Sequence, residues 1–332
     1  MNVCVIGGGT WGSAFALHLG RKGIDTSLWI REKDIFLDMQ ENFENKTFLP
    51  GFVFPPSVSF SNNIKSIVKD ADIVFVAVPS KFCRKIYRNL AGHLSSNQII
   101  VSLTKGIEEK TLKRMSELVK EVFPPSALPP YAVLSGPSFA REVAAQHPTT
   151  VVVASKKLNL AQKIQHLISY KNFRAYTSSD IIGVELCGAL KNVIAIATGI
   201  SFSLGFGNNT AAALITRGIA EITRLGMKLG AKKETFLGLA GIGDLVLTCT
   251  GKLSRNRSVG YELGQGKTVK QIVSNMNMVA EGITTTLSAH KLAKSEQVEL
   301  PICEQVYQVI YKKKSPREAL QDLMSRKLKH EN

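Results

Sequence analysis

The run Asn2-Val-Cys-Val-Ile6, Gly7-Gly-Gly9-Thr-Trp-Gly12, Ser13-Ala-Phe-Ala-Leu-His-Leu-Gly-Arg-Lys22 restricts the N-terminal half of this chain to very few folds. A short apolar, β-rich stretch leads into a G-x-G-x-x-G turn, and a helical pattern follows at once. That order is the one a dinucleotide-binding unit needs. Gly7 permits the tight turn, Gly9 lets backbone approach a pyrophosphate, and Gly12 lets the helix pack closely on the sheet. The anion would sit on the exposed N–H groups and positive end of the helix. In a chain with 26 glycines the pattern alone would say little. The flanking strand and helix give it meaning.

Further strand-helix alternation follows. Asp25-Thr-Ser-Leu-Trp-Ile30 reads as a second strand ending at Arg31-Glu32, about 20 residues past the last glycine, where the ribose is read. Glu32 could take the ribose hydroxyls of NAD, and Arg31 could take the 2′-phosphate of NADP; the reading leans to NADPH. Asp72-Ile-Val-Phe-Val-Ala-Val78 is nearly continuous in apolar residues, as a strand buried on both faces should be. Gln98–Leu103 and Tyr131–Leu134 read as further strands, ending at Thr104-Lys105-Gly106 and Ser135-Gly136-Pro-Ser138. The pattern predicts an open parallel sheet with helices on both faces and ligands beyond the carboxyl ends of its strands. Lys105 and the Gly136–Ser138 turn fall at those ends, although an exposed loop lysine would look the same.

From about Ile181 the periodicity becomes helical. Between Ile181 and Thr216 the only charged side chains are Glu185 and Lys191. An ammonium in such surroundings must be paired, deprotonated or directed at a polar pocket. Lys191 is therefore a candidate acid/base, the alternative being a lysine whose stem covers apolar surface while its head reaches water. Gly238–Thr248 places Asp244 after a glycine-permitted bend, among apolar neighbours. Thr250–Ser258 reads as a loop whose Ser254, Arg255, Asn256 and Arg257 suit a phosphate. Ser315-Pro-Arg-Glu318 gives an N-cap and capping box for a last helix. The expected organisation is residues 1–180 as an α/β, Rossmann-type doubly wound sheet binding NAD(P), and residues 181–332 as an all-α substrate-binding and catalytic domain.

Composition narrows the classes. At 332 residues the chain suits two domains, and five scattered cysteines suggest neither a disulfide framework nor a metal site. The net charge of +16 fits attraction of small phosphorylated anions better than nucleic acid, because the basic residues form no dense run outside Arg326–His330 and are not interleaved with aromatics. The longest apolar stretch, Val193–Ile200, is far short of the ~20 residues a membrane span needs, and no signal peptide is read at the start. A cytoplasmic location with no membrane span is expected.

Together, Gly7-x-Gly-x-Trp-Gly12, Phe48-Leu-Pro50, Thr104-Lys-Gly106, Ser135-Gly-Pro-Ser-Phe-Ala140, Leu190-Lys-Asn-Val193, Gly241-Ile-Gly-Asp244, Ser254-Arg-Asn256 and Val279-Ala-Glu-Gly282 resemble the NAD(P)-dependent glycerol-3-phosphate dehydrogenases, in order and over nearly the whole chain. The resemblance implies reversible hydride transfer between glycerol 3-phosphate and dihydroxyacetone phosphate for phospholipid synthesis, by a homodimer. It implies Lys191 as general acid/base, with Lys105, Gly136, Ser138, Asp244, Ser254, Arg255 and Asn256 lining the substrate. Gly7, Gly9, Thr10, Trp11, Gly12, Arg31, Lys105, Ala140, Arg255, Val279 and Glu281 would contact the cofactor. Asn192, Asp244 and Thr248 would orient the lysine and the substrate hydroxyls. One departure is Ala211, where many relatives carry a basic residue. The competing readings are a related two-domain hydroxy-acid dehydrogenase, which would not need the Arg255 loop, and a nicotinamide-sensing regulator, which would not need Lys191 with Asp244.

Overall fold

The computed structural model describes residues 1–276, 279–328 and 330–331; Lys329, in the basic run noted above, lies outside them. The chain divides into two compact units, one of residues 1–108 and 113–185, the other of residues 109–112 and 186–332.

The first unit is built on an eight-stranded sheet in the order β3-β2-β1-β4-β5-β6-β7-β8. The strands are β1 Val3–Ile6, β2 Thr26–Trp29, β3 Val58–Ser61, β4 Ile73–Val76, β5 Ile99–Ser102, β6 Tyr131–Ser135, β7 Thr149–Ala154 and β8 Phe173–Ser178. In β1, Val3 and Val5 pack into one core with Phe15, Leu28 and Phe75. Cys4 and Ile6 pack into another with Val74, Val76 and Tyr87. Both faces of the central strands are thus buried, which is why they read as unbroken apolar runs. The order reverses direction between β1 and β4, and at such a switch point the loops beyond the strand ends form a crevice.

Two expectations need correction. The sheet is not purely parallel: β7 pairs antiparallel with β6 and parallel with β8. Nor were β3, β7 and β8 anticipated. In β8 the residues Phe173, Arg174, Ala175 and Tyr176 alternate buried and exposed, a half-wet pattern that lacks the signature of a doubly buried strand.

The second unit is helical. Its longest helix, Ile181–Ser203, begins in the last residues of the first unit. Every residue from Gly183 to Ser201 is buried. By length and composition this helix could cross a membrane, but 94% of its most apolar window is buried inside the protein. It is a core helix. Close crossing is achieved through glycine. A Cβ on Gly199 would meet the Arg257 carbonyl oxygen at 2.0 Å, and one on Gly260 would meet that of Ile196 at 2.0 Å. These contacts set the helix Arg255–Gly264 directly on the helix that carries Lys191.

Candidate active site

In the first unit the glycine turn is shaped by backbone contact. Gly7 has φ +123° and donates its N–H to Trp29 O at 3.2 Å. A Cβ on Gly12 would lie 1.9 Å from Gly7 O, so the helix Thr10–Arg21 presses on the turn at a place where no side chain fits. Gly9 differs: among the described residues, a Cβ there would meet no atom within 4 Å. Gly9 is also the helix N-cap, and no side chain caps the helix, which leaves its positive end to an anion. Trp11 Nε1 is a buried donor that finds no hydrogen-bond partner among the described residues. Open space over Gly9, an uncapped helix start and an orphaned donor fit a pyrophosphate.

Asn45 was missed by sequence reasoning. Fully buried, it donates from Nδ2 to Gly8 O at 2.8 Å and to Ser13 Oγ at 2.9 Å. Its Oδ1 accepts from Phe48 N at 3.0 Å. It ties the glycine turn to the segment holding Phe48-Leu-Pro50. A polar residue three positions before that motif was the only available signal.

At the ends of β2, β5 and β6 the expected residues fall into two groups. Arg31 is exposed and ion-paired with Glu32. Lys105, half-buried, donates from Nζ to Gly136 O at 2.9 Å, and Ser138 Oγ donates to the same oxygen at 2.9 Å. Gly136 has φ +132°, a conformation that favours glycine. Ala140 opens the short helix Ala140–Ala144.

In the second unit Lys191 answers the cost of burial by pairing. Its Nζ lies 2.5 Å from Asp244 Oδ1 and 2.7 Å from Thr248 Oγ1. Thr248 Oγ1 in turn donates to Asp244 O at 2.6 Å, so the hydroxyl is oriented to accept from the ammonium. A carboxylate this close favours the charged lysine. Asp244 is the first residue of the helix Asp244–Thr250, reached through a π-helical turn, Leu239–Gly243. At Gly241 the backbone leaves helical geometry, and a Cβ would meet Phe236 O at 2.2 Å. The glycine-permitted bend read from sequence therefore aims the acid at the lysine. Burial pushes the thiol of nearby Cys249 up to about 12, with Thr198 opposing.

Asn192 and Asn256 form a second chain of contacts. Asn256 Nδ2 donates to Asn192 Oδ1 at 2.9 Å, and Asn256 Oδ1 accepts from Gly282 N at 2.9 Å. The chain joins the residue after Lys191, the residue after Arg255 and the start of the helix Glu281–Ser295. Val279 and Ala280 lead into that helix, and Glu281 is its first residue.

The segment read as the loop Thr250–Ser258 is corrected. Residues Arg255–Gly264 are helix, and Ser254 caps it by accepting from Arg257 N at 3.2 Å. Serine is a strong N-cap, which is the reason the chain turns helical there. Arg255 is the first helical residue and is exposed. The other charge of the apolar run, Glu185, belongs to a different cluster. It accepts from Arg114 Nη1 at 2.8 Å, Ser116 N at 2.8 Å and Tyr131 Oη at 2.7 Å. Desolvation raises its carboxyl, with Arg114 opposing.

Comparison with known proteins covers both units. Residues 2–161 match the family model described as NAD-dependent glycerol-3-phosphate dehydrogenase N-terminus, and residues 180–321 the one described as its C-terminus. Glycerol-3-phosphate dehydrogenase, NAD(P)+, of Citrifermentans bemidjiense is 51% identical over 99% of this chain and 98% of its own. The protein of that name from Syntrophotalea carbinolica is 50% identical over 100% of this chain and 99% of its own. A crystal structure of glycerol-3-phosphate dehydrogenase from Coxiella burnetii superimposes with a TM-score of 0.94 at 38% identity, covering 98% of this chain and 99% of that one.

Proposed function

Because this chain belongs to the NAD-dependent glycerol-3-phosphate dehydrogenase family, we propose that Lys191, held by Asp244 and Thr248, is the proton-transfer group of its reaction. The protein is an oxidoreductase that interconverts sn-glycerol 3-phosphate and dihydroxyacetone phosphate with NAD(P). When bound, the nicotinamide supplies or accepts the hydride. The chain must do the rest: hold the substrate, orient it and manage one proton.

In the reducing direction negative charge grows on the carbonyl oxygen as the carbon receives hydride. A positioned ammonium stabilises that charge and delivers the proton. Lys191 Nζ is such a group, and Asp244 keeps it charged inside an apolar helix. In the oxidising direction the neutral amine takes the hydroxyl proton. Asn192 orients the substrate end beside the lysine. Ser254, Arg255 and Asn256 hold the phosphate at the start of their helix, where backbone N–H groups and the arginine fork suit an anion. Lys105, Gly136 and Ser138 also contact the substrate. The glycine turn with Thr10 and Trp11, and Arg31, Ala140, Val279 and Glu281, contact the cofactor. A cytoplasmic homodimer belongs to the same reading; the five free, buried cysteines support a reducing compartment.

The single observation that carries the assignment is the buried Lys191–Asp244 contact at 2.5 Å. It is tested by following reduced-nicotinamide absorbance with NADPH and dihydroxyacetone phosphate. Lys191→Ala should lose about 10²–10⁴ in kcat while cofactor affinity, read by fluorescence titration, stays near normal. Near-normal turnover would remove Lys191 from the role. Arg255→Ala should raise KM for the phosphorylated ketone far more than for dihydroxyacetone; equal losses would contradict the phosphate assignment.

A further inference from the structure

The charge where β2 ends is not favourable to a 2′-phosphate as it stands. Arg31 is paired with its neighbour Glu32, so the two side chains sum to zero. A doubly charged phosphate reaching for the arginine would meet the acid beside it.

A second cation is held close by. Phe82, in the first turn of the helix Ser80–Ala91, has the Arg31 guanidinium carbon 5.5 Å from its ring centroid and the Lys81 ammonium 4.9 Å from it. Both positive groups therefore lie beside the same ring, and both add to the positive field where β2 ends. The arginine's anchor is fixed. Asn62 Nδ2 donates to Ile30 O at 2.7 Å and to Arg31 O at 2.8 Å, pinning the backbone under the arginine. Lys81 is exposed and, among the described residues, makes no ion pair or hydrogen bond through its ammonium. Cations held over a ring face keep their outward N–H groups for another partner.

We propose that Lys81 is a cofactor-specificity residue. With Arg31 it clamps the 2′-phosphate of NADP, Phe82 holds both cations in place, and the added charge offsets Glu32. The assignment rests on the reading that Arg31 meets the adenosine end of the cofactor. It also gives the Arg31-Glu32 pair, ambiguous by itself, a net sign.

KM for NADPH and for NADH, measured with dihydroxyacetone phosphate on the wild type, Lys81→Gln and Arg31→Gln, tests the proposal. Lys81→Gln should raise the NADPH-to-NADH ratio of KM values by roughly tenfold or more, as expected when one hydrogen bond to a charged group is lost. Phe82→Leu should move the ratio in the same direction by less. A ratio unchanged in Lys81→Gln, whether both constants stay put or rise together, overturns the role of Lys81. If Arg31→Gln alone shifts the ratio, the Arg31 reading survives that failure. If neither variant shifts it, the reading beneath the proposal fails as well.

Discussion

Lys191 Nζ and Asp244 Oδ1 lie 2.5 Å apart with 7% and 1% of their side chains exposed. Removing one member of such a pair leaves the other charged and without its counter-ion. Asp244→Leu should therefore destabilise the protein by about 3–5 kcal/mol and abolish turnover. Combining it with Lys191→Met should return much of that stability, because two apolar side chains replace two charges, while turnover stays lost. Urea denaturation of both variants separates the outcomes. A double variant no more stable than Asp244→Leu would show that the pair does not act as a unit.

The glycine turn separates folding from binding in two substitutions. Gly12→Ala drives a methyl into Gly7 O, 1.9 Å away, and overpacking of that kind costs about 1–3 kcal/mol. Gly9→Ala meets nothing within 4 Å, so its stability cost stays under about 1 kcal/mol. It should still weaken NAD(P) binding, since the open space over Gly9 is what a pyrophosphate would fill. Thermal melts paired with cofactor titrations check both. Unchanged cofactor affinity in Gly9→Ala would place the pyrophosphate elsewhere.

Glu221 makes stability depend on pH. Burial pushes its carboxyl up to about 7, against the opposing Ile302 and Cys303 N–H groups and the Arg224 charge. It accepts from Ile302 N at 2.7 Å and Cys303 N at 3.3 Å, at the start of the helix Pro301–Lys312. Between its ordinary value near 4.5 and about 7, the folded protein holds a proton that the unfolded chain has released. Stability from this site is therefore greatest in acid and falls as pH rises through that window. Glu221→Gln, which keeps an acceptor for Ile302 N, should flatten the dependence and gain up to about 3 kcal/mol at pH 8. Melts at pH 5 and pH 8 decide the matter; a slope identical to the wild type would clear Glu221 of it.

Sequence was most informative where a residue's environment is uniform. β1 and β4 were readable because both faces of each are enclosed, and Lys191 because no other ammonium lies in its apolar run. β3 and β8 were not, since their mixed faces resemble ordinary loop composition. The antiparallel direction of β7 depends on how a connection returns, which no local pattern records. The Arg255 segment resembles a loop in sequence because its arginines and glycine dominate, and a single capping serine, Ser254, carries no periodicity. Asn45 was hidden for another reason. Two of its partners, Gly8 and Ser13, lie more than thirty residues away, and a single asparagine carries no periodicity.

The enclosure of the helix Ile181–Ser203 has a consequence for how the enzyme fails. With Gly183 through Ser201 all shielded from water, the amides around Lys191 should be among the slowest to exchange for deuterium. Lys191 is thereby guarded against displacement by local fraying. Heat or urea should extinguish turnover and secondary structure of the helical unit along one superimposed curve, without a folded but inactive species in between.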